Sequence, residues 1–247
     1  MNNPFALQNK RIIITGAGSG IGRATAVLAS SLGADLILID ISSDSLKETE
    51  SLLGGSVSVK SFTMDLTDDS SMDVVIREIT ADRPVDGVVH CAGVSSRKPL
   101  NMLKREGFSK VMDVNFYSFV SLVRLLAKRG RMTDGGKIVV MSSISSVRGF
   151  KAKTEYCVSK AAVDAFVRCM ALELAPRRIC INSVMASEVL TPMAVKAKEM
   201  NLSEADFVTP LGPSQPEEVA ASIVFLLSDA TRTITGTSLL IDGGANI

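Results

Sequence analysis

The stretch "RIIITGAGSGIG", residues 11–22, sets a run of branched apolar residues directly against glycines at 16, 18, 20 and 22. The run has the length and composition of a strand buried on both faces, and residues 20–32 continue as an amphipathic helix. A strand that ends in a glycine-rich turn and restarts as a helix presents backbone amides at the helix N-terminus, where a pyrophosphate can sit. The spacing of Gly16, Gly20 and Gly22 is wider than that of the common G-x-G-x-x-G loop. For the loop by itself, a purely structural turn is the alternative reading.

The same alternation runs outward through the chain. Strand-like segments follow as "DLILID" from Asp35, "VKSFTMD" from Val59, "VDGVVHCAG" from Val85, "KIVVMSS" from Lys137, "RICINSVM" from Arg178 and "TSLLIDGG" from Thr237. Amphipathic stretches at 70–81, 105–129, 156–175 and 216–228 lie between them. This βαβ order predicts an α/β fold, a parallel sheet with helices on both faces. The 247 residues suit one sizeable domain, 1–247, with no linker that divides it. The longest part without strand character, 187–215, holds three of the eight prolines and reads as a lid or substrate loop.

Two acids extend the first motif. Asp40 closes "LILID" 24 residues after Gly16, where a carboxylate can accept both ribose hydroxyls of adenosine and repel a 2′-phosphate. Ser19 in the loop and Ile41 and Ser42 after the acid supply no cation for such a phosphate, so NAD is expected rather than NADP. Asp65, at the end of the third strand, can bond the adenine amino group or cap the turn into "DLTDDSS".

The second motif is "SSISSVRGFKAKTEYCVSK", residues 142–160. Tyr156 and Lys160 are one helical turn apart and share a face. A phenol with a pKa near about 10 is a poor base at neutral pH, but an adjacent ammonium favours the phenolate. Ser143, at the end of the fifth strand, can contact the oxygen that Tyr156 protonates. Alone, a Tyr and a Lys four apart are an ordinary helix-surface pair; behind a dinucleotide loop and a strand-end serine they describe a carbonyl or carbinol held by two hydroxyls.

Charge and composition narrow the partners. The 27 basic and 26 acidic residues carry no long like-charge block, so neither nucleic acid nor an anionic membrane is implied and small molecules are the expected partners. Cys91, Cys157, Cys169 and Cys180 show no C-x-x-C spacing and are expected as buried thiols, with no metal site. The N-terminal segment shows no leader pattern and no apolar run reaches about 18 residues, which gives the expectation of a soluble cytoplasmic protein.

From "TGAGSGIG" through "YCVSK" to "IDGG", the chain resembles a classical short-chain dehydrogenase/reductase over essentially its whole length. The resemblance implies a single-domain doubly wound Rossmann fold with a mainly parallel seven-stranded sheet, assembled as a homotetramer or homodimer. It implies an NAD(H)-dependent oxidoreductase that moves a hydride between nicotinamide and a secondary alcohol or ketone. Carried over by motif, Tyr156 is the acid/base and Ser143 orients and polarises the substrate oxygen. Lys160 holds the nicotinamide ribose and lowers the tyrosine pKa, and Asn115 in "MDVNFYS" supports the water of a proton relay. A helical Asn bonding its own backbone is the plainer account of Asn115. The cofactor set becomes Gly16, Ser19, Gly20, Ile21 and Gly22, then Asp40, Asp65 and Leu66, then Cys91, Ala92 and Gly93. Val189 and Thr191 complete it, with Tyr156 and Lys160 shared.

Two places depart from the family pattern. His90 and Cys91 stand where Asn-Asn is common, and Ala186 and Ser187 where Pro-Gly is common. The histidine is therefore expected to be structural or cofactor-adjacent. A small polyol or sugar, a hydroxy acid, a steroid and a carrier-bound acyl group are all open as substrates, with Arg97, Lys98, Arg148 and Lys151 available to an anionic one. The rival enzyme is a 3-oxoacyl carrier-protein reductase using NADPH, and the rival of another class is a catalytically silent NAD-binding or scaffold protein. The last strand and its helix "EEVAASIVFLLSD" are the segment expected, by analogy, at a two-fold interface.

Overall fold

The computed structural model describes residues 3–54, 57–199 and 209–246. The chain alternates as β1 (Arg11–Thr15), α1 (Gly20–Ser31), β2 (Asp35–Asp40), α2 (Ser43–Ser51), β3 (Val59–Thr63), α3 (Asp69–Ile79) and β4 (Val85–His90). It continues as α4 (Arg105–Met112), α5 (Ser118–Leu126), β5 (Met132–Ser143), α6 (Thr154–Leu174), β6 (Cys180–Ala186), α7 (Pro192–Glu199), α8 (Pro216–Leu227) and β7 (Ser238–Ile241). The strands form one seven-stranded sheet in the order β3-β2-β1-β4-β5-β6-β7, and every neighbouring pair is parallel. This is the doubly wound Rossmann arrangement, with its switch point between β1 and β4.

Alternate residues of each strand feed opposite cores, which is why the strands read as continuous apolar runs. Ile13, Ile37, Val88, Ile138 and Val140 pack against Ile76 of α3, Leu122 of α5 and Val163 of α6. Ile12, Ile14, Leu38, Val89 and Val139 pack on the other face against Ala26 and Ala29 of α1 and Ile223 and Leu227 of α8. The apolar side of α8 is thus buried within its own chain, and this packing accounts for the pattern without a two-fold axis.

Several local features differ from the sequence reading. Residues 105–129 are one amphipathic stretch in sequence, but Asp113–Tyr117 form a π turn between α4 and α5, closed by the Ser118 amide on the Asp113 carbonyl. β5 begins at Met132, five residues before the apolar run, because Met132 pairs with Val85 across a register shift. The 187–215 stretch, expected as a lid or substrate loop, holds α7 and a parallel bridge between Val189 and Ser214, and its residues 200–208 lie outside the described residues. All four cysteines are free, but only Cys180 is fully buried and Cys169 is exposed, since it lies on the outward side of α6.

Candidate active site

At the C-terminal edge of β1 the chain must turn sharply while β4 passes beside it. Gly16 takes a φ of +65° there, and a Cβ on it would lie 2.7 Å from the Ala92 amide nitrogen. Gly22, in the first turn of α1, comes closer still: its Cβ would lie 2.1 Å from the Gly16 carbonyl oxygen. The Cys91 amide donates to the Thr15 carbonyl at 3.1 Å and seats the segment after β4 against the loop. Ser19 is the extended residue before α1 and makes no side-chain cap. Ile21 is half-buried against the core beneath. Gly20, at φ +52°, faces Thr191, whose Cγ2 would lie 3.2 Å from an added Cβ. Val189 is buried, and its carbonyl accepts from the Thr191 amide at 2.7 Å, so the segment after β6 closes over the loop.

The adenosine-side residues are less uniform. Asp40 turns back toward the loop, with Oδ2 accepting from the Gly18 amide at 2.9 Å and Oδ1 from the Ser42 amide at 3.0 Å. Arg23, the cation nearest this loop, donates to the Gly18 carbonyl, to Glu48 at 2.7 Å and to Thr49 at 3.1 Å. Leu66 is buried, whereas Asp65 is exposed, with Oδ1 accepting from the amide and hydroxyl of Thr67 at 2.9 and 2.8 Å. The turn-capping role open to Asp65 in the sequence is therefore present.

Gly93 joins this end to the reactive one: a Cβ there would lie 3.2 Å from Asn115 Oδ1 and 3.7 Å from Lys160 Nζ. Asn115 is fully buried in the π turn, where its Oδ1 accepts from the Val94 amide at 2.7 Å. Its Nδ2 donates to the Val94 carbonyl and to Ser159 Oγ, both at 3.0 Å. The side chain thus bonds the segment after β4 and α6, not its own helix, and the plainer account of Asn115 does not hold. Ser159 in turn donates to the Tyr156 carbonyl at 2.7 Å. Ser143, at the end of β5, accepts from the Ser145 amide at 3.1 Å and caps a short 3-10 turn.

Lys160 is 5% exposed, and its Nζ donates to the Met141 carbonyl at 2.8 Å, two residues before Ser143. The same ammonium lies 5.7 Å from the Tyr156 ring centroid. Burial pushes the Lys160 pKa down to about 8. Burial also pushes the Cys91 thiol up to about 12. His90 is pushed down to about 3 by burial and then by the Lys160 charge. Its ring bonds Thr15 Oγ1 at 2.9 Å and Ser118 Oγ at 3.4 Å, so it is a neutral strut between β1 and α5.

Two buried acids beside the motif were absent from the sequence reading. Glu155 is 1% exposed, accepts from Ser96 Oγ and pairs with Lys98 at 3.4 Å, which ties the segment after β4 to the start of α6. Asp164, 4% exposed, lies one turn beyond Lys160 on α6. An acid four residues after the lysine on a helix facing the sheet was the available signal.

A seven-stranded parallel sheet with a glycine cradle at its switch point defines a dinucleotide-binding α/β protein. The chain belongs to the classical short-chain dehydrogenase/reductase family, a family of nicotinamide-dependent oxidoreductases. The matching family model is described as Enoyl-(Acyl carrier protein) reductase and covers residues 16–246. The chain is 35% identical over 246 residues to an NAD-dependent glycerol dehydrogenase of Listeria innocua, covering 98% of this chain and 96% of that protein. It is also 35% identical, over 244 residues, to a 3-oxoacyl-[acyl-carrier-protein] reductase of Thermotoga maritima, covering 96% of this chain and 98% of the relative. Among solved structures it resembles a 7α-hydroxysteroid dehydrogenase complexed with NADH and 7-oxo glycochenodeoxycholic acid. That similarity has a TM-score of 0.87 at 26% identity and covers 99% of this chain and 98% of the other. No helix among the described residues is long and apolar enough to cross a membrane.

Proposed function

We propose that the protein is an NAD(H)-dependent oxidoreductase that interconverts a secondary alcohol and a ketone, with Tyr156 as acid/base. The observation that carries this reading is the buried Lys160 ammonium beside the Tyr156 ring, anchored to the strand that presents Ser143. In that arrangement the Tyr156 hydroxyl gives or takes the proton of the substrate oxygen. Ser143 donates a hydrogen bond to the same oxygen, and the ammonium favours the phenolate that deprotonation leaves. Asn115 holds the Val94 backbone and Ser159 in place, so Tyr156 and Lys160 keep their spacing. A bound nicotinamide would supply or accept the hydride.

The residues present fit that cofactor. At Gly16, Gly18 and Gly22 the turn has no room for a Cβ, and Ser19, Gly20 and Ile21 offer backbone amides at the start of α1 for a pyrophosphate. Asp40 and Asp65 would hold the adenosine, Leu66 and Cys91 through Gly93 would flank it, Thr191 would touch the carboxamide or the phosphates, and Val189 would supply a backbone amide. NAD is favoured over NADP because Asp40 faces the loop, Ile41 is 70% exposed and carries no charge, and Arg23 is already bonded to Glu48 and Thr49. We read residues 1–247 as one catalytic domain that works in the cytoplasm as a homodimer or homotetramer. Tyr117, Val158 and Leu172 offer exposed apolar surface for assembly.

A 3-oxoacyl carrier-protein reductase is the second reading, favoured by the Thermotoga maritima relative and by the description of the matching family model. Turnover with NADH and NADPH, followed by nicotinamide absorbance on polyols, hydroxy acids, hydroxysteroids and 3-oxoacyl thioesters, separates the two. NAD-linked turnover of a polyol or hydroxy acid supports the first reading; NADPH-linked reduction of the thioesters replaces it with the second.

A further inference from the structure

The glycine loop has a rear side as well as the side offered to a cofactor, and α2 packs behind it. Gly18 marks the closest approach: a Cβ on it would lie 2.8 Å from Ser45 Cβ and 2.9 Å from Asp40 Oδ2. Two successive peptide units are gripped there. The Ala17 carbonyl accepts from Thr49 Oγ1 of α2 at 2.8 Å, and the amide of the same unit, on Gly18, donates to Asp40 Oδ2 at 2.9 Å. The next carbonyl, that of Gly18, accepts from Arg23 Nη2 of α1.

The bond to the guanidinium sets a direction. The Gly18–Ser19 peptide is trans, and in a trans peptide the N–H points opposite to the C=O. With the Gly18 carbonyl drawn back to Arg23, the Ser19 amide faces forward, on the exposed side of the loop. Ser19 is the extended residue before α1, so this amide has no acceptor within the helix.

Arg23 is itself seated. Its Nε donates to Thr49 Oγ1 at 3.1 Å, and its Nη2 pairs with Glu48 at 2.7 Å and reaches the Ser45 carbonyl at 3.4 Å. Thr49 is fully buried, whereas the Glu48 side chain is 65% exposed, so the guanidinium is fixed from the inside and Glu48 closes its outer side. A planar fork of donors suits such a seat, where an ammonium would act as a point charge.

We propose that Arg23, seated on Thr49, is a positioning residue of the cofactor loop: by holding the Gly18 carbonyl at the rear, it turns the Ser19 amide toward the pyrophosphate. This rests on the dinucleotide reading given above. Without the guanidinium, or with its seat removed, the Gly18–Ser19 peptide is free to rotate and one pyrophosphate donor loses its aim.

The test measures binding, not turnover. ADP and adenosine are titrated by calorimetry against the whole protein; both carry the adenosine that Asp40 would hold, and only ADP carries a pyrophosphate. Arg23→Met should weaken ADP about tenfold while adenosine stays within about twofold of wild type. Thr49→Val keeps the shape of the side chain and the Arg23 charge but removes the seat, and it should weaken ADP about threefold to tenfold. Thr49→Ser, which keeps the hydroxyl, should bind ADP as wild type does. Equal losses for ADP and adenosine overturn the proposal, because they report a loop that has collapsed as a whole. Unchanged ADP binding in Thr49→Val also overturns it, because Arg23 would then act through its charge and not through its placement; this variant decides the matter if Arg23→Met does not fold. Wild-type protein that binds neither ligand removes the dinucleotide reading together with this proposal, whereas wild-type binding that both variants retain removes this proposal alone.

Discussion

The cofactor end and the reactive end occupy one edge of one sheet, yet opposite means hold them. At the cofactor end shape comes from missing side chains: Gly16 and Gly22 bring backbone to within a Cβ's reach of Ala92 and of Gly16 itself. At the reactive end chemistry comes from side chains that are present, buried and hydrogen-bonded: Asn115 in the π turn, Ser143 on β5, and Tyr156 and Lys160 on α6. Under the proposed function the two ends should therefore fail differently, one through binding and the other through rate.

The sharpest break is at Tyr156. Tyr156→Phe keeps the ring and removes the proton donor, so kcat should fall by about a thousandfold, while the NADH dissociation constant from fluorescence titration stays near wild type. A parallel loss of NADH binding would show that the two ends are not separable. The mirror experiment is Gly16→Ala. A non-glycine residue at a φ of +65° and 2.7 Å from the Ala92 nitrogen is strained, by about 1–3 kcal/mol. That strain weakens NADH binding roughly tenfold to a hundredfold and leaves kcat at saturating cofactor almost intact.

The same contrast explains what the sequence made legible. The cofactor loop is local: strand, glycines and helix follow one another within residues 11–32, and that order, with the acid Asp40 closing the next strand, outlines the cradle. Tyr156 and Lys160 are legible for the same reason. What surrounds them is not, because Cys91 and Met141 come to Lys160 from beyond β4 and from β5, distant in sequence. The π turn has no local signature, since Asn115 bonds Val94 and Ser159, distant in sequence. α2 was missed because "SDSLKETES" buries only Leu46 and Thr49 and shows no apolar stripe. Cys169 fails in the opposite way: an apolar neighbourhood in sequence turned out to be an exposed helix face.

His90 lies between the two ends, bonded to Thr15 under the glycine turn and to Ser118 under the π turn. Its folded pKa of about 3 lies below the 6.5 of the free side chain, so between these values the unfolded chain binds the proton that the native protein refuses. Stability rises with pH across that window and is lost as pH falls below about 6.5, by up to about 1.4 kcal/mol per pH unit. Denaturant unfolding between pH 7 and 4 should show this slope, and His90→Asn should flatten it. An unchanged slope in the variant would place the acid sensitivity in the carboxylates.

The smallest expected effect concerns Asp40, the charged side chain on which the preference for NAD over NADP depends. Asp40 accepts from the amides of Gly18 and Ser42, so the carboxylate shapes the loop as well as offering its charge to a ribose. Asp40→Ser combined with Ile41→Arg removes the repulsion of a 2′-phosphate and adds a cation at an exposed position. Exposed charges are worth about 1 kcal/mol or less each, so the NADPH-to-NADH ratio of kcat/KM should rise by only roughly tenfold. The hydroxyl that replaces the carboxylate can keep one of the two amide bonds, which limits the accompanying loss of stability. If the ratio does not move while NADH binding weakens, Asp40 acts as an acceptor for loop amides and not as a reader of the ribose. The cofactor end would then be shape throughout, and discrimination between the dinucleotides would have to lie elsewhere along the cradle.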